Sequence, residues 1–458
     1  MSAEMSAEVV VVGLGVGGEA VAGQLADAGM DVIGIEHELV GGECPYWGCI
    51  PSKMMLRAAG LLAEARRIPG IAGTSTVEPD WAPVAQRIRQ EATDTWDDTV
   101  AVDRFTGKGG RFVRGKAKIL DPRNVEVPGI GAIHAKHGLV ISTGTAPTIP
   151  PIPGLADTPY WTNRDAVKTE VLPVSLVVIG GGAIGCEIGQ AYARFGVEVT
   201  IIEGADRLLA MEDPEAGELL DEALRAEGLS LRLGVHVAGV TYDDAFTVRL
   251  ADGSSVVGEK VLLATGRHPA MNADDWAALE LEGRPGALPV DEQMRVRDGV
   301  WAVGDITGKG AFTHMATYQA DIAVRNILGN GGIGADYRAI PRVVFTDPEI
   351  GGVGLTEAQA RDRGIRIATG STQIPSTSRG WIHKAGNTGL IKLIVDTDND
   401  RLVGAISAGP TGGEVLSALC VAVHAEVPVS MLESMIYAYP TFHRGIQDAL
   451  RDLRAKEF

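Results

Sequence analysis

The fold is decided by residues 9–36, which read VVVVGLGVGGEAVAGQLADAGMDVIGIE. Four consecutive valines are typical of a buried parallel strand, and a glycine-rich turn, a helical pattern and a second apolar strand follow them. This order, ending in an acidic residue, is the fingerprint of a dinucleotide-binding βαβ unit. In such a unit the glycines let the backbone approach a pyrophosphate at the helix N-terminus, and the acid binds ribose hydroxyls. The predicted contacts are Gly13, Gly15, Gly18 and Glu36.

A second complete fingerprint begins at the apolar strand 176–179. Its next strand ends in Glu203, and an acid at this position opposes a 2′-phosphate, so NADH is predicted in preference to NADPH. Arg207 is close enough to favour the opposite choice, or it is only a surface charge. Two units predict two bound nucleotides. The glycines of the second unit are Gly180, Gly182 and Gly185.

Two cysteines, Cys44 and Cys49, lie in residues 41–53, which read GGECPYWGCIPSK. A disulfide requires Cα atoms within about 7 Å of each other, whereas five residues of regular helix rise about 7.5 Å. A bond here therefore requires irregular backbone, which the glycines and prolines of the stretch permit. A bond closed over so short a segment should be labile and redox-active. For a bare pair at this spacing, the alternative is two reduced, buried thiols.

Composition limits the classes of partner and compartment. The 458 residues suggest about three domains, and a formal net charge of −18 argues against nucleic acid and anionic membranes as partners. Four cysteines suit a cytoplasmic redox pair better than a disulfide scaffold. Residues 1–8 lack the character of a signal peptide, and no apolar run reaches membrane-spanning length. Cys186 and Cys420 lack the spacing of metal ligands, so inert packed thiols and no metal ion are expected.

Three local features are also predicted. Residues 112–119 indicate a single strand, and residues 80–103 indicate a charged helix with a solvated face. Tyr46 and Trp47, between the two cysteines, suggest an aromatic-lined pocket.

The cysteine pair, with Gly-Gly before it and Pro-Ser-Lys after it, resembles that of the flavoprotein disulfide reductases, such as dihydrolipoamide dehydrogenase, glutathione reductase and mercuric reductase. Residues 344–354, VFTDPEIGGVG, are similar to the start of the dimerisation domain of that family, so the resemblance covers the whole chain in order. It implies an α/β homodimer with two Rossmann-like dinucleotide-binding domains, one for FAD and one for NAD, and a C-terminal α+β dimerisation domain. The implied limits are 1–152 and 268–335 for the FAD domain, 153–267 for the NAD(P) domain and 336–458 for the dimerisation domain.

The resemblance also implies cofactor contacts. Asp305 would bind the flavin ribityl chain, the backbone near Ala117 would touch the adenine, and Thr313 would begin the helix under the isoalloxazine. The other implied contacts are Gly42, Lys53, Thr143, Gly144, Gly266 and Gly304.

In the resembled family, NAD(P)H reduces FAD and the electrons pass to the disulfide. Cys49 would be the thiol next to the flavin, and Cys44 the thiol that attacks the substrate. Lys53 and Glu187 match the ion pair beside the flavin N5, where the lysine charge would stabilise reduced flavin. A lysine that is removed from water needs such a partner to stay charged.

The C-terminal region departs from the family pattern. Tyr439 occupies the position of the family's acid–base histidine, and Arg444 that of its glutamate. An unperturbed tyrosine titrates near 10 and is a poor base at neutral pH, so His443 is the alternative acid–base group. A tyrosine at this position is similar to mercuric reductases and to some quinone-reducing relatives.

The predicted function is therefore a dihydrolipoamide dehydrogenase-like enzyme, which passes electrons from NAD(P)H through FAD and the Cys44–Cys49 pair to a small disulfide. A quinone reductase or metal-ion reductase of the same fold is the alternative. A flavin redox sensor, or a docking subunit of a complex, is the alternative from another class.

Overall fold

The structure, a computed structural model, describes residues 5–456 as alternating strands and helices. The strands are β1 Met5–Val12, β2 Val32–Glu36, β3 Arg111–Arg114, β4 Lys118–Asp121, β5 Asn124–Val127, β6 Gly131–Ile141, β7 Thr145–Pro147, β8 Ser175–Ile179, β9 Glu198–Ile202, β10 Ser230–Arg232, β11 Val237–Asp243, β12 Ala245–Leu250, β13 Ser255–Gly258, β14 Lys260–Leu263, β15 Arg267–Pro269, β16 Arg295–Arg297, β17 Val300–Ala302, β18 Pro341–Val344, β19 Glu349–Gly354, β20 Ile367–Gln373, β21 Leu390–Asp396 and β22 Arg401–Gly409. The helices are α1 Val16–Asp27, α2 Glu43–Tyr46, α3 Cys49–Arg67, α4 Ala82–Arg87, α5 Thr99–Gly107, α6 Asn163–Lys168, α7 Ala183–Arg194, α8 Pro214–Ala226, α9 Ala273–Ala278, α10 Thr313–Ile327, α11 Glu357–Asp362, α12 Ser378–His383, α13 Gly412–His424, α14 Val429–Ser434 and α15 Gly445–Ala455.

The first of two compact units contains the described residues up to Pro51, together with Gln86–Thr148 and Gly266–Tyr337. Its sheet has the order β16-β17-β6-β1-β2-β3, and β1 pairs in parallel with both β2 and β6. The valines of β1 alternate between two apolar cores, with helices α1, α5 and α10 on one face and α9 with β4 and β5 on the other. Because both faces are covered, this strand reads as a continuous apolar run.

The second unit contains Ser52–Ala85, Ile149–Thr265 and the described residues from Arg338 onward. It holds a parallel sheet of order β10-β9-β8-β14, which shares an apolar core with the antiparallel sheet β11-β12-β13. It also holds the antiparallel sheet β18-β19-β22-β21-β20, which packs against α13 and α15. The α/β class and the C-terminal α+β segment are as predicted from the sequence. The domain limits stay a prediction, and their outermost residues, 1 and 458, lie outside the described part.

The strand predicted at 112–119 is wrong, because the chain forms two strands there. The backbone N–H of Gly115 donates to the carbonyl of Glu36 at 2.9 Å, and the chain then leaves the parallel sheet. Strand β3 pairs in parallel with β2, whereas β4 pairs antiparallel with β5. Ala117 lies in the break, partly buried against the apolar core.

The single charged helix predicted at 80–103 is also wrong. The hydroxyl of Thr93 donates to the carbonyl of Ile88 at 3.0 Å, and this bond within the chain competes with the helical pattern. Residues 94–96 then have positive φ angles of 47°, 60° and 56°. Left-handed backbone costs about 1–2 kcal/mol per residue and cannot continue a right-handed helix. The segment is not simply a solvated face, since Ile88 and Thr93 are buried.

Between residues 5 and 456, no helix combines the length and the apolar character needed to cross a membrane.

Candidate active site

Two glycine turns in the structure have the same geometry. A Cβ atom added at Gly18 would overlap the carbonyl oxygen of Gly13, and one added at Gly185 would overlap that of Gly180. Only glycine therefore lets each helix pack this closely on its own turn. We call the two turns the first cradle, residues 13–18, and the second cradle, residues 180–185.

Each cradle leaves room for an anion at the start of its helix. Gly15 and Gly182 are the N-cap residues of α1 and α7, and neither helix start has a side-chain cap. Within residues 5–456, and apart from the adjoining backbone, no atom lies within 4 Å of the position that a Cβ would take at Gly15 or Gly182. The first backbone N–H groups of a helix attract anions, so both cradles fit a pyrophosphate.

The acid of the first unit is tied to its cradle. Glu36 accepts hydrogen bonds from the backbone N–H groups of Leu14, His37 and Glu38, each at 2.8 Å. Burial opposes the charge of Glu36, but these hydrogen bonds and the His37 ring together hold its pKa below the ordinary value. Glu36 is therefore an ionised acceptor at neutral pH.

The acid of the second unit is held in the same way. Glu203 accepts from the backbone N–H groups of Gly181 at 2.6 Å and Ala205 at 2.7 Å. Arg207 instead donates to the carbonyl oxygens of Ala210 at 3.0 Å and Glu212 at 3.3 Å. Its guanidinium is thus engaged by the loop that follows it.

Two of the residues predicted to bind the flavin, Thr143 and Asp305, lie in a polar part of the first unit. Thr145 donates its hydroxyl to Asp305 at 2.9 Å. Burial raises the pKa of Asp305, and the Thr145 bond and the nearby Arg267 charge only partly counteract this rise. The hydroxyl of Thr143 is buried, and no hydrogen-bond partner from the described residues reaches it. An orphaned hydroxyl two residues before the threonine that binds Asp305 fits a polar cofactor such as FAD.

Three predicted glycines shape the surrounding turns, and each has a positive φ angle: Gly144 at 67°, Gly266 at 96° and Gly304 at 81°. The carbonyls of Gly144 and Gly266 accept backbone hydrogen bonds at both ends of the β7–β15 ribbon. The N–H of Gly304, before Asp305, donates to the side chain of Gln319 at 2.7 Å.

Residues 41–53, which we call the redox segment, have the irregular backbone that the sequence predicts. Helix α2 ends at Tyr46, Trp47 has a φ of −132°, and α3 begins at Cys49. A Cβ added at Gly48 would lie 3.2 Å from the carbonyl oxygen of Glu43 and 3.8 Å from the Cα atom of Cys44. The chain therefore turns back on itself between the two cysteines. Their pairing in a disulfide stays a prediction.

This segment is anchored to the first cradle. The N–H of Gly41 donates to the carbonyl of Leu14 at 2.7 Å, and Gly41 forms a bridge with Gly15. A Cβ added at Gly42 would come within 2.8 Å of the Cα atom of Gly15, so Gly41 and Gly42 are in close contact with the first cradle. Gly42, which is predicted to contact the cofactor, thus lies next to the first cradle.

Cys49 lies beside a residue predicted to approach the flavin. Its Sγ atom is 3.4 Å from the hydroxyl oxygen of Thr313, the first residue of α10. Cys49 is exposed and Cys44 is half-buried in the chain by itself. The structure thus brings together Cys49 and Thr313, which are far apart in the sequence.

One charged partner of the redox segment was not predicted. The Arg267 guanidinium lies 3.6 Å from the Glu43 carboxylate and donates to the Thr145 hydroxyl at 2.8 Å. A positive charge beside Glu43 offsets the effect of that carboxylate on its neighbour, Cys44. Sequence alone offered only the Gly-Arg pair after the strand as a signal for Arg267.

The two aromatic residues between the cysteines have different surroundings, and the pocket lined by them stays a prediction. Tyr46 is only 6% exposed, and burial raises its pKa. Trp47 is half-buried and stacks on Trp96, with ring centroids 5.6 Å apart and an interplanar angle of 23°. Trp96 comes from the left-handed segment 94–96, which sequence reasoning placed in a helix.

Lys53 and Glu187 are in direct contact in the second unit. The Nζ atom of Lys53 lies 2.8 Å from the Glu187 carboxylate, whose side chain is 7% exposed. The structure therefore brings the predicted ion pair together. Its role beside a flavin stays a prediction.

The two candidate acid–base residues have different surroundings. Tyr439 is 67% exposed, and the Arg444 guanidinium lies over its ring at 5.2 Å. His443 is half-buried, and its ring centroid lies 5.9 Å from that of Tyr437. Arg444 thus covers the tyrosine instead of orienting a histidine.

The other two cysteines differ from the redox pair in their surroundings. Cys186 is buried and Cys420 half-buried, and burial raises the pKa of both thiols. Among residues 5–456, no group of three or more His, Cys, Asp or Glu side chains is arranged to hold a metal ion.

Comparisons with known proteins identify the class. Residues 7–320 match the family model of pyridine nucleotide-disulphide oxidoreductases, and residues 340–450 match that family's dimerisation domain. The chain belongs to this family and is an NAD(P)H-dependent flavoprotein oxidoreductase that uses FAD.

Its relatives within the class are of several kinds. The chain is 33% identical to dihydrolipoyl dehydrogenase of Thermus scotoductus, with 97% of each chain covered. It is 31% identical to mercuric reductase of Acidithiobacillus ferrooxidans, over 96% of this chain and 81% of that one. Its structure matches the HOCl-induced flavoprotein disulfide reductase RclA from Escherichia coli with a TM-score of 0.83 and 27% identity, over 98% of this chain and 99% of that chain.

Proposed function

We propose that this protein is a cytoplasmic homodimer that passes electrons from NADH to a Cys44–Cys49 disulfide and on to a small disulfide substrate. The observation that carries the proposal is the position of the redox segment. It is bonded to the first cradle, and Cys49 lies 3.4 Å from Thr313 at the start of α10. When bound, FAD supplies the chemistry that links hydride transfer from the nicotinamide to reduction of a disulfide.

Substrate reduction then follows thiol–disulfide exchange. The Cys44 thiolate attacks one sulfur of the substrate, forms a mixed disulfide and releases the first substrate thiolate. The Cys49 thiolate attacks the Cys44 sulfur, which releases the second substrate thiolate and restores the Cys44–Cys49 disulfide. The substrate gains two electrons, and its two thiolates take up two protons. The resulting disulfide is reduced again at the expense of NADH.

The ion pair and the nucleotide acid have roles in this proposal. The Lys53 charge, held 2.8 Å from Glu187, would stabilise the negative charge of a reduced flavin. Glu203 supports NADH as the donor because its carboxylate would repel a 2′-phosphate. Arg207 does not oppose this choice, since its guanidinium donates to carbonyls of its own loop.

Exposed apolar side chains on the C-terminal segment support the homodimer. Large apolar groups that are exposed together commonly mark an interface with another chain. Ile436 is 96% exposed and Trp381 is 75% exposed, and Val421 and Met431 are also exposed. Sedimentation equilibrium should give twice the chain mass, and a monomer at micromolar concentration would refute this part of the proposal.

A second function, reduction of quinones or metal ions, is favoured by the Tyr439–Arg444 contact. Dihydrolipoamide chemistry needs a base near neutral pH, and general-base help is worth on the order of 10² to 10⁴ in rate. Without the family histidine, acceptors that need no such proton transfer should suffer less. Trp47, which lies between the two cysteines in the sequence, stacks on Trp96, and stacked aromatic side chains suit a flat quinone. Some relatives are named mercuric reductases, and RclA was solved as a Cu(II) complex. Mercuric and Cu(II) ions are therefore both worth testing as acceptors.

An acceptor panel with NADH tests both functions. We expect measurable turnover with lipoamide or another small disulfide, and loss of that turnover in Cys44→Ser. Quinone or metal-ion turnover well above that with every disulfide would favour the second function. One equivalent of NADH oxidised without further cycling would instead indicate a redox sensor.

The double variant Tyr439→His with Arg444→Glu tests whether the enzyme lacks the acid–base group of the family because Tyr439 replaces it, or whether His443 is the base. Restoring the family dyad should raise lipoamide turnover far more than quinone turnover. If His443 is the base, His443→Ala should abolish disulfide reduction and the double variant should gain nothing. Efficient lipoamide turnover by the parent, unaffected by His443→Ala, would overturn both readings.

A further inference from the structure

The ammonium group of Lys53 has an aromatic neighbour as well as an anionic one. It donates to Glu187 at 2.8 Å and to the Ser52 hydroxyl at 3.2 Å. It also lies 4.6 Å from the centroid of the Phe345 ring. This distance is within the range of a cation–π interaction, in which the ring face attracts a positive charge. The Lys53 side chain is 35% exposed, so these contacts define its position on one side while the other side remains accessible.

The Glu187 carboxylate fixes the lysine and the aromatic residue together. One of its oxygens accepts from Lys53, and the other accepts from the backbone N–H of Phe345 at 2.9 Å. The Lys53 ammonium and the Phe345 backbone are therefore bound to the same buried carboxylate, which keeps the residue that carries the ring next to the ammonium. A rotation of Glu187 would break both contacts at once.

Two further side chains of α7 hold the same segment. Gln190 donates to the carbonyl of Asp347 at 2.8 Å and accepts from its N–H at 2.8 Å. Arg194 donates to the Asp347 carboxylate at 2.8 Å. Because Glu187, Gln190 and Arg194 are three and four residues apart, they lie on one face of the helix. Phe345 and Asp347 are thus attached to that face by four hydrogen bonds.

We propose that Phe345 is a positioning residue that holds the Lys53 ammonium at the place where the flavin requires its charge. The inference rests on the proposed assignment of Lys53 to the flavin. Lysine has four rotatable bonds, and one hydrogen-bonded carboxylate at its end leaves several rotamers available. The ring restricts these rotamers without adding a charge that would cancel that of the lysine. The simpler alternative is that Phe345 only fills space, in which case an aliphatic side chain would serve as well.

The test is the two-electron reduction potential of the bound FAD in Phe345→Leu, with Phe345→Tyr as the matched control. Cation–π contacts at partly exposed sites suggest a two- to fivefold fall in the equilibrium constant for flavin reduction. At about 30 mV per tenfold change, this corresponds to a potential lower by about 9 to 21 mV. The tyrosine variant keeps the ring face and should match the parent. If the leucine variant binds no FAD, Phe345→Met replaces it.

A double-variant cycle with Lys53→Met separates positioning from packing. If Phe345 acts through the lysine charge, Phe345→Leu should change the potential in the parent and not in the Lys53→Met background. Equal shifts in both backgrounds, or no shift in either, would overturn the proposal. A potential that Lys53→Met leaves unchanged would overturn the assignment of Lys53 to the flavin as well. A shift from Lys53→Met alone would refute only the role of Phe345.

Discussion

Alanine at Gly182 should weaken nucleotide binding without disturbing the fold. Gly182 has a φ of −80°, which any residue adopts, and no atom lies within 4 Å of the place where its Cβ would be. The chain itself therefore accommodates the methyl group. A pyrophosphate at the N-terminus of α7 would meet it, and would lose at least one hydrogen bond from a backbone N–H group. Hydrogen bonds to charged groups are worth about 1.5–3 kcal/mol, so we expect Kd for the nucleotide to rise roughly 10- to 100-fold.

Two matched variants make this prediction specific. Gly185→Ala would place its Cβ against the carbonyl of Gly180, so it should also lower the free energy of unfolding, by about 1–3 kcal/mol. Gly15→Ala makes the corresponding change in the first cradle and should reduce FAD affinity instead of nucleotide affinity. NAD⁺ affinity is measured by titration calorimetry, FAD content by absorbance, and stability by urea unfolding.

The reasoning would be refuted by unchanged NAD⁺ affinity in Gly182→Ala with its full complement of FAD. It would equally be refuted if Gly182→Ala destabilised the chain as much as Gly185→Ala. The structure leaves space for a Cβ at Gly182, whereas the carbonyl of Gly180 occupies that space at Gly185.

Three further outcomes are expected. Cys49→Ser should abolish the long-wavelength charge-transfer band seen on partial reduction, together with disulfide turnover, and a retained band would show that Cys49 is not the thiol beside the flavin. Glu203 predicts a higher kcat/KM with NADH than with NADPH. Glu203→Ala should lower the ratio of the two kcat/KM values by about one order of magnitude, because one charge-assisted contact is lost. A parent enzyme that prefers NADPH would contradict this role of Glu203. Because burial raises the pKa of Asp305, its ionisation opposes folding as the pH rises through that pKa. In FAD-free protein, Asp305→Asn should therefore raise Tm at pH 7 and not at pH 3. The same variant should bind FAD more weakly. An equal change in Tm at both pH values would show that the charge of Asp305 is not the cause.

The parts of the molecule that depend on neighbouring residues could be predicted from the sequence. The strands, glycine turns and helices of both cradles lie where the sequence predicts them, because these elements follow one another within about 30 residues. Nucleotide binding by their glycines and acids stays a prediction. The start of α10 at Thr313, which the family resemblance implied, also lies at the predicted residue. The irregular backbone between Cys44 and Cys49 followed from elementary helix geometry.

Local patterns could not predict the contacts between distant residues, and the Lys53–Glu187 pair was predicted only because the chain resembles a known family. No local pattern shows that Arg267 approaches Glu43, or that the ring of Phe345 lies over Lys53. The strand predicted at 112–119 failed because the chain changes its pairing partner there, from β2 in parallel to β5 in antiparallel orientation. In each case, contacts made only in the folded chain outweighed local preference.

The repeated geometry of the two cradles also limits how the protein can tell its two nucleotides apart. FAD and NADH share an adenosine diphosphate half, and this is the half that glycine turns of this kind bind. Selection between them must then come from the groups beyond the diphosphate, which meet different side chains in the two units. Other metabolites that carry a free adenosine diphosphate end should compete for the second cradle in particular, since a nicotinamide donor must leave it after every turnover. The cellular concentration of such adenine nucleotides would then influence how fast the enzyme works, without any dedicated regulatory site.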